Sequence, residues 1–494
     1  MLYLRRYLLG ESFTNPLIQL DWISGFKKLF IMHNNINPFH FFRFNDSYCL
    51  INIENMAAVK INSDYEIDFL TKLSKNQYGD LSENDKNIIK KYGLLRTSQN
   101  ITQNKDEIDF INEPIVNITL NVIQECNLSC IYCYGDKGKY GLGGKMSLDT
   151  ALKAVDWLIE QSKDKEELLI GFFGGEPMLN FELIREVVNY SREQGKLNGK
   201  KFEYSINTNG TLLNENVVRF LKKYKVKILV SLDGDKEIQD KQRPFKNGKG
   251  SYDIINENLK ILLKEIPGAA CRATIVGDSC IENIDKAIKK VGFKKSHINF
   301  VSPTLFDDNK DTPKRNLEIV KNAIEKEAIE LLASIKDRDI QKINTLKDSG
   351  QVLSIVGQFI NSQSRLFPCG AGRGYVAIST EGGVYLCHRF VGDEDHKLGT
   401  IFTNIEKSKY LKSPIKRESR CLTCFAKYVC GGGCYHDNLS NTGSIYLGSD
   451  DSCNLTKKVV EYGAYVASEL TLDDKELLVE EKIIDKKPCL LDLF

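Results

Sequence analysis

Net charge is almost missing from this chain of 494 residues: 68 basic and 66 acidic side chains leave a formal +2. That excludes the strongly basic footprint of a nucleic-acid-binding surface. Long apolar runs are missing too. No uninterrupted stretch approaches the roughly 18 residues of a membrane-spanning helix. The apolar patches of the N-terminal "MLYLRRYLLGESF" are broken by Arg5 and Arg6, with no small-residue cleavage site behind them. Neither a membrane span nor a secretory signal is expected, which places the chain in the cytoplasm. Low-complexity segments are absent, and 42% hydrophobic with 27% charged residues is the composition of an ordinary globular protein. At this length the expectation is two or three domains rather than one core.

Cysteine, by contrast, is abundant. Fourteen thiols in a chain without an export signal point to metal or iron–sulfur ligation rather than to disulfides. Ten fall in two groups: Cys126, Cys130 and Cys133 in "CNLSCIYC", then Cys369, Cys387, Cys421, Cys424, Cys430, Cys434 and Cys453. Cys49, Cys271, Cys280 and Cys489 are scattered and read as ordinary free thiols. A cubane cluster and a structural zinc site each take four ligands. Three cysteines within eight residues and no neighbouring histidine satisfy neither. Either a distant cysteine completes the set or one corner is left open. In the second group, the C-x2-C of Cys421 and Cys424 also fits a zinc knuckle.

Between about residues 115 and 305, strand-like and helix-like segments alternate with great regularity. "VNITLNVIQ", "LLIGFFGG", "KFEYSINTNG", "VKILVSLDG", "AACRATIV" and "SHINFVSP" read as strands, with amphipathic helical patterns between them. This is the pattern of right-handed βαβ units and a parallel sheet, and six such units give an α/β fold, an open partial barrel. Its reactive residues are expected at the C-terminal ends of the strands, where the short polar motifs lie. Four regions follow: 1–95, a small α+β domain with a hairpin around "NDS" and two helices; 112–335, the barrel; 336–460, rich in cysteine and glycine; and 461–494, a charged helix and tail. A polar linker around 96–112 separates the first two.

Three cysteines at x3 and x2 spacing after the first strand, with the aromatic Tyr132 before the third, resemble the signature of the radical S-adenosylmethionine (radical SAM) superfamily. The resemblance extends to "GGEP" (Gly174, Gly175, Glu176), "NTNG" (Asn207, Asn209) and "SLDG" (Ser231), at the ends of the next three strands. It implies that S-adenosylmethionine chelates the open iron of a 4Fe-4S cluster and is cleaved to a 5′-deoxyadenosyl radical. It also implies that Gly174, Gly175 and Glu176 form an edge for the methionine ammonium, that Asn207 and Asn209 lie near the ribose, and that Ser231 and Arg243 serve the carboxylate.

The seven later cysteines resemble the SPASM extension of that superfamily, which holds two auxiliary clusters and makes three 4Fe-4S clusters in all. By that resemblance Cys421, Cys424, Cys430 and Cys453 complete one cluster. Cys369, Cys387 and Cys434 hold the other, whose fourth iron is open or bound by something else. "CIYCYGDKGKYGLGGKMS" and "VYLCHRFVG" look like maturases that form thioether crosslinks in ribosomally made peptides. The implied partners are a small cysteine-containing precursor peptide, bound through its leader by a winged-helix-like N-terminal domain, and a reducing electron donor such as ferredoxin or flavodoxin. The rival is the anaerobic sulfatase-maturating enzyme, where an Asp normally follows the cysteine numbered Cys387 here. This chain has His388, a candidate base. A multi-cluster electron carrier is the non-enzymatic alternative.

Overall fold

The computed structural model describes residues 36–95, 113–276 apart from 142, 281–300, and 317–485 apart from 411. Cys280, Cys489, the polar linker 96–112 and the apolar end of the chain lie outside the described residues.

The N-terminal region is a meander of three antiparallel strands, β1 (Phe39–Phe44), β2 (Ser47–Asn52) and β3 (Ala57–Ile61), followed by helices α1 (Asp64–Ser74) and α2 (Glu83–Lys91). The sequence marks the hairpin β1–β2; β3 extends it by a strand. Ser63 and Ser82 start the two helices by accepting from Glu66 and Asp85 backbone N–H groups, which satisfies donors the first turn leaves free.

Next come β4 (Asn117–Ile123), α3 (Leu148–Gln161), β5 (Glu167–Gly174), α4 (Phe181–Asn198), β6 (Lys201–Thr208), α5 (Glu215–Lys223) and β7 (Lys227–Ser231). Then follow α6 (Lys236–Gln242), α7 (Tyr252–Glu265), β8 (Ala270–Ile275), α8 (Ile281–Val291) and β9 (Lys295–Phe300). The six strands pair parallel in chain order, and the sheet does not close. Near-continuous apolar strands are what such a sheet needs, because helices cover it. Ile118, Leu120, Ile170, Phe172, Tyr204, Ile206 and Val230 are buried in one core with Val155, Leu158, Val188 and Leu259 of the helices.

The region after residue 336 is less separate than its composition suggests. Helices α9 (Leu317–Lys336), α10 (Ile340–Ser349) and α11 (Val352–Ile360) lead into β10 (Tyr375–Ile378), β11 (Gly383–Tyr385) and β12 (Lys397–Thr400). Strand β10 pairs parallel with β4, so β12-β11-β10 extend the barrel sheet to nine strands, and Val376 to Ile378 join the barrel core. Helix α12 (Tyr435–Thr442) precedes α13 (Asp450–Glu469) and α14 (Leu472–Glu480). Helix α13 runs through residue 460, so Cys453 and the start of the charged tail belong to one element. It also carries the N-terminal sheet: Cys49, Ile51, Ile53 and Met56 are buried with Val459, Val460, Tyr462 and Val466. Among the described residues no helix is long and apolar enough to cross a membrane.

Candidate functional site

The three-cysteine loop leaves the end of β4 and is held by the end of β5. Gly175 N–H donates to Ile123 O (2.9 Å) and Glu176 N–H to Glu125 O (2.9 Å). A Cβ on Gly174, whose φ is +130°, would lie 2.0 Å from Ile123 O, and one on Gly175 would lie 2.0 Å from Glu125 O. Only glycines let the two backbones approach this closely. Tyr140 donates its hydroxyl to Gly174 O (3.1 Å) from the far side of the loop.

Glu176 is buried. Its carboxylate accepts from Thr208 Oγ1 (2.7 Å), Asn209 N–H (2.7 Å) and Met178 N–H (3.1 Å), which fastens β5 to β6. Burial pushes its pKa up to about 7, against those three bonds, which pull it down. The Asn209 amide is likewise committed. Its Nδ2 donates to Asn127 Oδ1 (2.8 Å), and its Oδ1 accepts from the backbone and hydroxyl of Thr211. Asn209 therefore braces the cysteine loop, whereas Asn207 and Ser231 are half-buried and line the open space beside it.

One residue that sequence reasoning passed over sits at the centre. Asp233, fully buried, accepts from Tyr132 Oη (2.5 Å), Arg243 Nε (3.0 Å) and Thr274 N–H (2.9 Å). It joins the cysteine loop, the segment after α6 and the end of β8. Arg243 is thereby placed with Nη1 4.0 Å from Cys130 Sγ and its guanidinium 5.1 Å from the Tyr132 ring centre. The legible signal was an acid in "SLDG" ten residues before the arginine of "DKQRPF".

These groups surround a cavity of about 620 Å³ lined by Cys126, Cys130, Cys133, Glu176, Asn207, Ser231 and Arg243. It continues to Arg272, His388, Arg389 and Cys434, so the barrel and the cysteine-rich region share one space. His388 Nδ1 lies 2.8 Å from Tyr375 Oη, and its ring packs 4.8 Å from Phe173. Burial, helped by Arg389 and Arg272, lowers its pKa to about 3, leaving a neutral imidazole.

The seven later thiols fall into two sets. Cys434 and Cys369 lie within electrostatic reach of Cys387, while Cys430, Cys424 and Cys453 surround Cys421. The second set lines a cavity of about 340 Å³ that Cys434 of the first set also borders. Among the described residues no three His, Cys, Asp or Glu side chains converge on a point for a single metal ion. A cubane cluster spaces its thiolates more widely because each binds its own iron. The all-thiol donor sets, the two cavities and the glycine edge fit iron–sulfur clusters and a small chelating ligand. The N-terminal sheet touches this region directly. His40 stacks on Phe425 (3.7 Å), and Glu54 accepts from Lys427 Nζ (3.1 Å) and Tyr428 Oη (3.0 Å).

Residues 120–279 match the Radical SAM superfamily. The chain is 28% identical over 335 residues to a cysteine-type anaerobic sulfatase-maturating enzyme of Clostridium novyi, covering 64% of this chain and 86% of that one. It is 39% identical over 134 residues to an uncharacterised protein of Methanocaldococcus jannaschii, a match spanning 27% of this chain and 44% of that relative. The solved structure of native anSMEcpe with bound AdoMet superposes with a TM-score of 0.60 at 19% identity, covering 72% of this chain and all of that one, and shows the shared fold.

Proposed function

We propose that this chain, an enzyme built on a radical SAM domain at residues 120–279, forms cysteine thioether crosslinks in a ribosomally made peptide. The observation that carries the reading is the single cavity running from the three-cysteine loop to His388 and Cys434. A substrate seated there would face both cysteine groups.

Cys126, Cys130 and Cys133 would hold the first cluster, with S-adenosylmethionine on the open corner. Bound there, that pair would supply one-electron cleavage of a carbon–sulfur bond and the abstraction of a hydrogen atom. The chain's own residues position and exclude. The Gly174–Gly175 backbone offers an edge that a methionine ammonium can approach because no side chain intervenes. The Glu176 carboxyl group, bonded to Thr208, Asn209 and Met178, holds that edge in place from beneath. Arg243, aimed by Asp233, is placed to receive a carboxylate with Ser231, and Asn207 to receive a ribose hydroxyl. Asn209 keeps the cysteine loop in register with β6.

Two auxiliary clusters, on Cys369, Cys387, Cys434 and on Cys421, Cys424, Cys430, Cys453, would offer an exit for one electron, since a thioether product is two electrons more oxidised than its substrate and the abstracted hydrogen atom carries away the other. An open iron on the first set could fix the substrate sulfur. His388, the candidate base, faces the shared cavity, but a pKa lowered to about 3 makes its imidazole a weak proton acceptor and weighs against that role.

Leader binding would fall to the three-stranded sheet, whose outer strands β1 and β3 each have a strand partner on one side only, the arrangement that β-augmentation uses. Removing the whole sheet would open the core it shares with α13, so the informative test keeps the chain intact. Hydrogen exchange of β1 and β3 is expected to slow when a leader-bearing peptide is added, and unchanged exchange refutes the role.

The second reading, sulfatase maturation, is favoured by the 28% identity over 335 residues to the Clostridium novyi enzyme. Mass spectrometry after anaerobic co-expression with a small cysteine-containing peptide separates the two. A thioether keeps the sulfur and loses two hydrogens; a formylglycine loses the sulfur and gains an aldehyde. Absence of 5′-deoxyadenosine under strong reductant defeats both.

A further inference from the structure

Arg389 and Asp437 have no assigned part in the chemistry above, yet they occupy the junction of the two cysteine groups. Arg389 lies two residues after Cys387. Its Nη1 is 3.6 Å from Cys434 Sγ and 2.8 Å from Asp437 Oδ1. The same guanidinium stands 5.2 Å from the ring centre of Tyr134, the residue directly after Cys133. Asp437 belongs to the first turn of α12, and Cys434 is the N-cap of that helix. Side-chain exposures of 18% for Arg389 and 33% for Asp437 mean that water screens the pair only in part. Arg389, Asp437, Tyr134 and Cys434 all border the same cavity.

A thiolate that ligates a cluster gains negative charge when the cluster is reduced. A cation donating an N–H to that sulfur favours the reduced form, and a carboxylate beside it opposes reduction; hydrogen bonds to ligand sulfurs and nearby charge are the protein's levers on such potentials. Both levers meet here at Cys434. The Tyr134 ring limits the guanidinium on one face and Asp437 fixes one nitrogen, so the group pointing at the sulfur is held rather than mobile.

We infer that Arg389 and Asp437 are positioning residues that tune, with opposite sign, the reduction potential of the centre held by Cys369, Cys387 and Cys434. This rests on that centre being present as proposed above.

The test is anaerobic potentiometry with electron paramagnetic resonance on the full-length, iron-loaded protein. The centre in question is identified as the signal that Cys387→Ala abolishes. Arg389→Gln should move its midpoint to lower potential, and Asp437→Asn should move it higher. Arg389→Lys, which keeps the charge, should shift it less than the glutamine variant. Iron per chain should stay at the wild-type value in the Arg389 and Asp437 variants. A structural role would not separate the two variants by sign. Shifts in the same direction, or none, overturn the inference. So does loss of iron in Arg389→Gln with Asp437→Asn unshifted, because Arg389 would then only support the fold. If the wild-type protein has no signal that Cys387→Ala removes, the auxiliary-centre reading falls and this inference with it. A wild-type signal that neither variant moves overturns the inference alone.

Discussion

Removing the Asp233 carboxylate should destabilise the barrel strongly. Asp233→Ala strands a buried guanidinium at Arg243, whose side chain is 10% exposed against 0% for Asp233. Losing one partner of a buried ion pair costs about 3–5 kcal/mol. The Thr274 N–H, which donates to the same carboxylate, adds about 1 kcal/mol or more when left unsatisfied. The expected loss is therefore about 4–6 kcal/mol. At about 2–4 °C per kcal/mol for a unit of 150–250 residues, the barrel transition should fall by about 8–24 °C. Asp233→Asn keeps volume and an acceptor for Thr274, and should lose less. Thermal unfolding followed by circular dichroism reads both. The decisive arm is Asp233→Ala combined with Arg243→Met, which removes the stranded charge and should be less destabilised than the sum of the two single changes. An alanine variant melting within about 2 °C of wild type would refute the reasoning, as would strict additivity in the double variant.

Other consequences are equally checkable. Gly175→Ala places a Cβ 2.0 Å from Glu125 O, so the cysteine loop must move; S-adenosylmethionine should no longer perturb the cluster's resonance signal, while auxiliary iron is retained. Retention of the full perturbation would contradict the close-approach argument. Glu54→Ala deletes the contacts to Lys427 and Tyr428, weakening the four-cysteine loop by about 1.5–3 kcal/mol. Iron should pass to a chelator faster, and an unchanged rate counts against the coupling. Glu327 accepts from the Gln351 and Val352 N–H groups at the start of α11, and burial raises its pKa to about 7. A raised acid holds a proton in the folded state that the unfolded chain has released, so stability falls as pH rises from about 4.5 to about 7. Glu327→Gln should flatten that slope, and parallel melting profiles for the two proteins would disprove it.

Much of the barrel was legible because its signals are local. The 2.0 and 3.6 residue periodicities lie within single segments, and each apolar strand from "VNITLNVIQ" to "SHINFVSP" coincides with an observed one. The cysteine spacings are covalent facts of the chain; Gly174 and Gly175 read as an edge for a ligand, and the structure shows them also pressed against the backbone of Ile123 and Glu125. The polar residues were harder. Glu176 and Asn209 read from their motifs as groups facing a ligand, yet the Glu176 carboxylate ties β5 to β6 and the Asn209 side chain ties β6 to the cysteine loop. Asp233 was hidden because its three partners lie 101, 10 and 41 positions away along the chain. Short strands such as "YVAI" carry too few residues for a period to show.

What the amino-acid order determined alone was the set of elements and the placing of Cys126, Cys130 and Cys133 on one connecting loop, since both depend on neighbours within a few residues. Tertiary structure decided which edges meet. It set β10 against β4, laid the N-terminal sheet on α13, and brought Cys434 and Arg389 beside the loop of Cys133. Those contacts join segments far apart in the chain, and their burial and charge pairing exist only once the whole has folded.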